Sequence, residues 1–151
     1  MREQADADIA SSVQSINSLL SQFQAVNAQI VSGTAMAADV TNALDTRDNI
    51  LTQLAQQIGI TTTVNADGGM SIYTDGGVTL FQGGTARTVA FSPTTTYTPT
   101  TTGNAVYVDG VPITGSSAAM PSTSGNLVRL TTLRDNTAVT YQAQLDNIAG
   151  G

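Results

Sequence analysis

Apolar residues return every three or four positions over the first part of the chain. Ile9, Val13, Ile16, Leu20, Phe23, Asn27 and Ile30 follow one another at intervals of 4, 3, 4, 3, 4 and 3, a heptad seam with one polar member, Asn27. Leu19 and Val26 widen the stripe, as a bundle helix requires and a strict two-stranded coil does not. The pattern predicts one long helix from about Gln4 to Val31. Asp6 and Asp8 lie in its first turns, where negative charge suits the helix dipole. Ser32-Gly33-Thr34 breaks the pattern, with Gly33 the expected C-terminal cap. Asp39 is the expected N-cap of a second helix. In that helix Val40, Leu44, Arg47, Leu51, Leu54 and Ile58 recur at 4, 3, 4, 3 and 4, and Gly59 ends the run. Two heptad helices with a short loop between them predict an antiparallel hairpin.

From Ile60 the period changes to two. Thr61 to Val64, Met70 to Thr74, Val78 to Phe81, Thr88 to Phe91, Asn104 to Val108 and Val111 to Ile113 are short β-branched or alternating runs. Asn65 to Gly69, Asp75-Gly76-Gly77, Gly83-Gly84 and Asp109-Gly110 punctuate them, which reads as hairpins or a meander. Pro112 demotes the last run to a sheet edge. Pro93 to Thr102 is a Thr/Pro tract expected as an exposed loop, and 115–125 is a linker of small residues. From about Asn126 to Ala149 the helical period returns through Leu127, Leu130, Leu133, Ala138, Tyr141, Leu145 and Ile148. Its four threonines weaken its intrinsic propensity, so it is expected to depend on tertiary packing.

Helices, then strands, then a helix predict an α+β fold rather than a parallel α/β sheet. The expected division is a discontinuous helical domain, 1–59 with 125–151, and a β-rich inserted domain, 60–124. The helical domain holds two long antiparallel helices and a returning C-terminal helix. The inserted domain is a small antiparallel module.

Composition narrows the chemistry. The 151 residues carry a net charge of −6 and contain no Cys, His or Trp. All five basic residues are Arg, and Glu3 is the sole Glu. Zinc, haem and iron–sulfur sites lack their usual ligands, and the commonest nucleophile–base pairs cannot be built. Five scattered arginines give no nucleic-acid footprint, and no apolar run approaches the ~18 residues of a membrane span. No catalytic, cofactor-binding or metal-ligating residue is assigned, and the chain is read as a non-enzyme without cofactors.

Four groups of residues are candidates for chemistry. Asp45 and Asp48 flank Arg47, and Arg134-Asp135 lies on the last helix; both read as helix ion pairs. Arg47 occupies a seam position, where its stem packs while its guanidinium seeks a carboxylate or a carbonyl. Asp67 and Asp75 head Asp-Gly-Gly turns that share the start of calcium-binding β-roll loops but not the full nonapeptide. Asp6-Ala7-Asp8 lacks the glycine and glutamate of a calcium loop.

Leu44-Asp45-Thr46-Arg47-Asp48-Asn49-Ile50-Leu51-Thr52-Gln53-Leu54, running through Ile58-Gly59-Ile60 into Asp67-Gly68-Gly69-Met70-Ser71-Ile72-Tyr73, resembles the bacterial flagellar hook-associated FlgK family. That family shows such an Arg-Asp helix followed directly by a β-hairpin. Gly125-Asn126-Leu127 through Leu133-Arg134-Asp135-Asn136 to Ile148-Ala149 resembles the family's returning helix. Positions 85–124 carry no such likeness. The resemblance implies a structural protein, exported through the flagellar type III apparatus, that links hook to filament outside the cell. The hook protein, the second junction protein and other copies of itself would be its partners. It implies too that the chain is an internal fragment without the family's terminal coiled-coil regions.

Two other classes compete. A secreted adhesin or phage-tail module would share the Thr-rich strands, and an Asp-based hydrolase would need two carboxylates ~5–10 Å apart in a cleft, an idea that fails if Asp67, Asp75 and Asp109 stand at separate turn tips. The long stripe of the first helix also predicts a weak dimer, or an apolar seam, at its N-terminal half around Ile9 and Val13.

Overall fold

The computed structural model describes residues 2–94, 103–115 and 118–137. Helix α1 spans Arg2–Ala35 and α2 Thr41–Gln57. Seven strands follow: β1 (Ile60–Val64), β2 (Met70–Thr74), β3 (Thr79–Gln82), β4 (Thr85–Ala86), β5 (Val89–Ala90), β6 (Tyr107–Val108) and β7 (Val111–Pro112). Helix α3 (Asn126–Thr132) passes into a wider π turn at Leu133–Thr137. The arrangement is the α+β fold expected from the change of period.

Every member of the α1 seam is buried, from Ile9 at 0% exposure to Val13 at 6%. The chain thus covers Ile9 and Val13 itself, and no apolar seam is left open there. The open apolar seam expected at the N-terminal half of α1 is therefore absent, and α1 packs against both α2 and α3. Ser12 Oγ donates to Gln57 Oε1 at 2.7 Å, which ties the start of α1 to the end of α2 and makes the pair antiparallel. On α2 the buried face is Arg47, Ile50 and Leu54, with Ile58 just beyond. Leu44 and Leu51 are only partly buried, so the stripe follows the helical 3.6 period rather than the 3.5 of a long supercoil.

Gly33 does not end α1. The helix runs two residues further and closes in a Schellman motif: Ala38 N–H donates to Gly33 C=O at 2.8 Å and Ala37 N–H to Thr34 C=O at 3.1 Å. The left-handed position is Ala37, at φ 55°. The N-cap of α2 is Val40 rather than the expected Asp39, which stands one residue earlier; its Oδ1 still accepts from Thr41 N–H at 3.0 Å and from the Thr41 hydroxyl at 2.6 Å.

The strands form two antiparallel sheets, ordered β1-β2-β3-β4 and β5-β6-β7. β1 meets β2 in the register Ile60↔Thr74 to Val64↔Met70. Met70, Ser71, Ile72 and Thr74 of β2 are all buried, so the alternation expected of a half-exposed strand is replaced by cover on both faces. Pro112 lies on an edge strand, as expected. The apolar core is continuous from Ile9 to Leu130 across helices and sheets. Phe23 of α1 meets Phe81 of β3 edge-on, with centroids 4.8 Å apart.

The expected last helix is α only to Thr132 and then widens; its continuation, 138–149, lies outside the described residues. The Thr/Pro tract beyond Thr94 lies outside them too.

Candidate functional site

Three constructions join the parts of this molecule, and all use polar side chains that a pattern of apolar residues cannot show. The first is a buried ion cluster between the start of α1 and the π turn. Arg134 Nη1 donates to Asp6 Oδ1 at 2.8 Å, and both side chains are 1% exposed. Arg134 Nε and Nη2 form a bidentate pair with Asp135, each bond 2.8 Å. Arg2 Nε donates to Arg134 C=O at 2.9 Å, and Thr94 N–H donates to Asp6 Oδ2. Phe91 lies under the guanidinium, 5.8 Å from ring centroid to carbon. A side chain at Gly103 would strike that guanidinium, so the chain passes over it only as glycine. An ion pair this dry is tolerated only with its remaining donors and acceptors satisfied, and these contacts supply that.

The second construction is a set of amides on α1 that bind strand backbones. Asn17 clamps Val89, donating to its C=O at 2.7 Å and accepting from its N–H at 2.9 Å. Gln24 accepts from Ala86 N–H at 3.0 Å, and Asn27 from Met70 N–H at 2.9 Å. Asn27 therefore interrupts the seam because a strand end needs an acceptor there.

A third junction lies where α2 enters β1. Asp75 Oδ1 accepts from Thr123 N–H at 3.0 Å, and Oδ2 from the hydroxyls of Thr123 (2.8 Å) and Ser124 (2.7 Å). Its partial burial pushes the carboxyl up, but the bonds from Ser124 and Thr123 outweigh that and hold it below the usual carboxylate range. Gly125, at φ 97°, passes so close that a Cβ there would stand 2.7 Å from Ile58 Cα.

The residues weighed for chemistry are dispersed. Asp45 and Asp48 are exposed, while Arg47 is 8% exposed and donates to Gly68 C=O at 3.2 Å, the carbonyl partner its seam position called for. Arg47-Asp48-Asn49 and Arg134-Asp135-Asn136 share the same three residues but make different contacts, since Arg47 reaches a turn and Arg134 a carboxylate cluster. Asp67 and Asp75 stand at opposite ends of β2, about 15–20 Å apart at ~3.4 Å per residue, and Asp109 belongs to the other sheet. The cleft that an Asp-based hydrolase needs does not form. No group of three acidic side chains is placed to hold a metal among the described residues. No helix among them is long and apolar enough to cross a membrane.

Along α1, α2 and the start of α3 runs a shallow, open groove, with a volume of about 390 Å³ in its section by Gln56, Gln57, Gly125, Asn126 and Arg129. It continues over Ser11, Ser15, Ser18, Gln22 and Gln53, with Asp8 and Arg129 as its charged members. Apart from these two the face is mainly Ser, Gln and Asn with little charge. Asp6, expected from the sequence to serve the helix dipole, is instead a buried partner of Arg134, 128 residues away.

Comparison with known proteins agrees with this architecture. A solved chain, the flagellar hook junction protein FlgK from Burkholderia pseudomallei, superposes with a TM-score of 0.64 at 23% identity, over 88% of this chain and 24% of that one. Flagellar hook-associated protein 1 of Escherichia coli K12 is 34% identical over 110 residues, 72% of this chain and 20% of that protein. The Salmonella typhimurium protein of the same name is 33% identical over 109 residues, 71% of this chain and 19% of that protein. The chain thus spans about a fifth of the length of these curated relatives. An adhesin or phage-tail reading draws no support from them. The model of the flagellar hook-associated protein FlgK helical domain matches residues 1–151, and the chain belongs to that family.

Proposed function

We propose that this chain is a structural segment of a flagellar junction protein that links hook to filament outside the cell. The match of the FlgK helical-domain model over residues 1–151 carries this reading. In it, segments 1–59 with 125–151 form a rigid layer that sets the angle between neighbouring subunits. Segment 60–124 is carried on the outside of that layer. The partners are the hook protein, the second junction protein and further copies of the parent protein. Contacts that propagate an axial array must be heterologous, one surface of each subunit meeting a different surface of the next. The Ser/Gln groove along α1 and α2 suits one such surface, because an uncharged amide and hydroxyl face hydrogen-bonds to a neighbouring helix without desolvating ions.

The test replaces the gene that encodes the chain. Its deletion is expected to abolish swimming and leave hooks without filaments. Restoring it with Ser15→Glu and Gln53→Glu, two exposed groove positions, is expected to leave the segment folded but lower the number of attached filaments at least tenfold. Full motility of the deletion strain overturns the reading.

A further inference from the structure

A sheet edge is a row of unpaired backbone groups, and among the described residues three of the four edges are closed. β4 is capped by Gln24 on Ala86 N–H, β5 is clamped by Asn17 on both groups of Val89, and β7 carries Pro112, which has no N–H to offer. β1 is the exception. At both ends of its ladder the odd-numbered residues bond to β2: Asp75 N–H donates to Gly59 C=O at 3.0 Å, and Asn65 N–H to Gly69 C=O at 2.7 Å. The alternation of an antiparallel ladder then turns the N–H and C=O of Ile60, Thr62 and Val64 away from β2. None of those groups bonds to a described residue. Residues 61–64 are exposed, and 60–66 contain no charge, Pro or Gly to discourage pairing.

We propose that β1 is the surface through which two copies of this chain pair, antiparallel, about a two-fold axis at Thr62. The strand, Ile-Thr-Thr-Thr-Val, reads in kind the same in both directions. With the axis at Thr62, Thr62 faces the partner's Thr62 and Ile60 faces the partner's Val64. Every outward N–H and C=O of both strands then finds a mate. A shift of one residue sets the outward groups against residues whose own groups face β2, and the bonds are lost.

Val64, 67% exposed, lies on the apolar face that continues Met70 and Ile72, and the partner's Ile60 covers it. Each chain carries a net charge of −6, so two copies repel in general. The uncharged edge is where that repulsion is least, and the two-fold sends Asp67 of each copy to opposite ends of the pair. A five-residue edge is far smaller than the ~1,200 Å² of a stable interface, so the pair forms at high concentration and parts on dilution. It is an isologous contact that closes on itself, independent of the heterologous contacts of an axial array.

The test is sedimentation of the 151-residue chain over a hundredfold range of concentration. The chain is expected to shift from monomer towards dimer. Thr62→Pro removes an N–H that β2 does not use, so it is expected to stay monomeric with an unchanged circular dichroism spectrum. Because the chain has no Cys, Thr62→Cys gives a single thiol that meets its copy across a hydrogen-bonded pair ~5.5 Å apart. On mild oxidation it is expected to cross-link at least ten times faster than Thr46→Cys on the exposed face of α2. A wild-type monomer at every concentration overturns the proposal. So does a dimer in which the two single-Cys variants cross-link at equal rates, or one that Thr62→Pro leaves intact.

Discussion

Arg134 is the largest fully buried side chain among the described residues, and its surroundings show what that requires. Its guanidinium is divided between Asp6, held from 128 residues away, and its neighbour Asp135. Removing Asp6 takes away one of the two carboxylates that balance this buried guanidinium, together with the acceptor of its Nη1 and of Thr94 N–H. Asp6→Ala is therefore expected to lower stability by about 3–5 kcal/mol, read as a lower midpoint in urea. Combining it with Arg134→Met should recover much of the loss, since an apolar side chain then fills the site. Equal midpoints for Asp6→Ala and the native chain would contradict a buried role for the pair. The Arg87–Asp109 pair makes the contrast. Its side chains are 43% and 46% exposed, and its contribution lies within the ~0–1 kcal/mol of surface ion pairs.

Asp75 carries the residue-scale pH dependence. Its folded carboxyl titrates below the ordinary 3.8, the side on which Ser124 and Thr123 prefer the charged form. A depressed pKa contributes stability at neutral pH, and that contribution is lost as pH falls through 3.8 and below. Replacing both Thr123 and Ser124 with Ala is expected to raise the Asp75 pKa, followed by carboxyl carbon shifts in an NMR titration. A pKa unmoved in that variant would remove the hydrogen bonds as its cause.

At the scale of elements, boundaries were set by hydrogen bonds more than by propensity. Gly33 looked like the end of α1, yet the Schellman motif uses its carbonyl as an acceptor and places Ala37 in the left-handed conformation. Alanine is strained there and glycine is not. Ala37→Gly is thus expected to stabilise the chain by about 0.5–1 kcal/mol, although glycine ordinarily destabilises. Thermal unfolding decides it, a lower Tm being the contrary result. The Asp-Gly turns and the order of strands were legible because a two-residue period and turn residues are local signals. The register of α2 was less so. A four-three repeat fits both Leu51 and Ile50 as core positions, and only contact with α1 chose Ile50.

At the scale of the molecule, the core runs unbroken from the helices into the sheets. The division between 1–59 with 125–151 and 60–124 is proposed as a division of labour, not of stability. Helix content and the near-ultraviolet signal of the tyrosines are expected to disappear in one coincident urea transition. Two separate transitions would make the β-rich segment an independent unit.

The sequence by itself determined the fold class, the two antiparallel helices, the hairpins and the family resemblance. Each rests on periodicity or on a contiguous motif, and these are properties of neighbours along the chain. Only the tertiary structure decided that Asp6 is a buried partner rather than a dipole charge. It decided too that Asn17 and Gln24 close strand edges, that Asn27 holds the start of β2, and that Ile9 and Val13 are covered while β1 stays open. Those outcomes depend on groups brought together across tens of residues. A buried donor or acceptor must find a partner wherever the fold brings one, and no local pattern encodes which one that is.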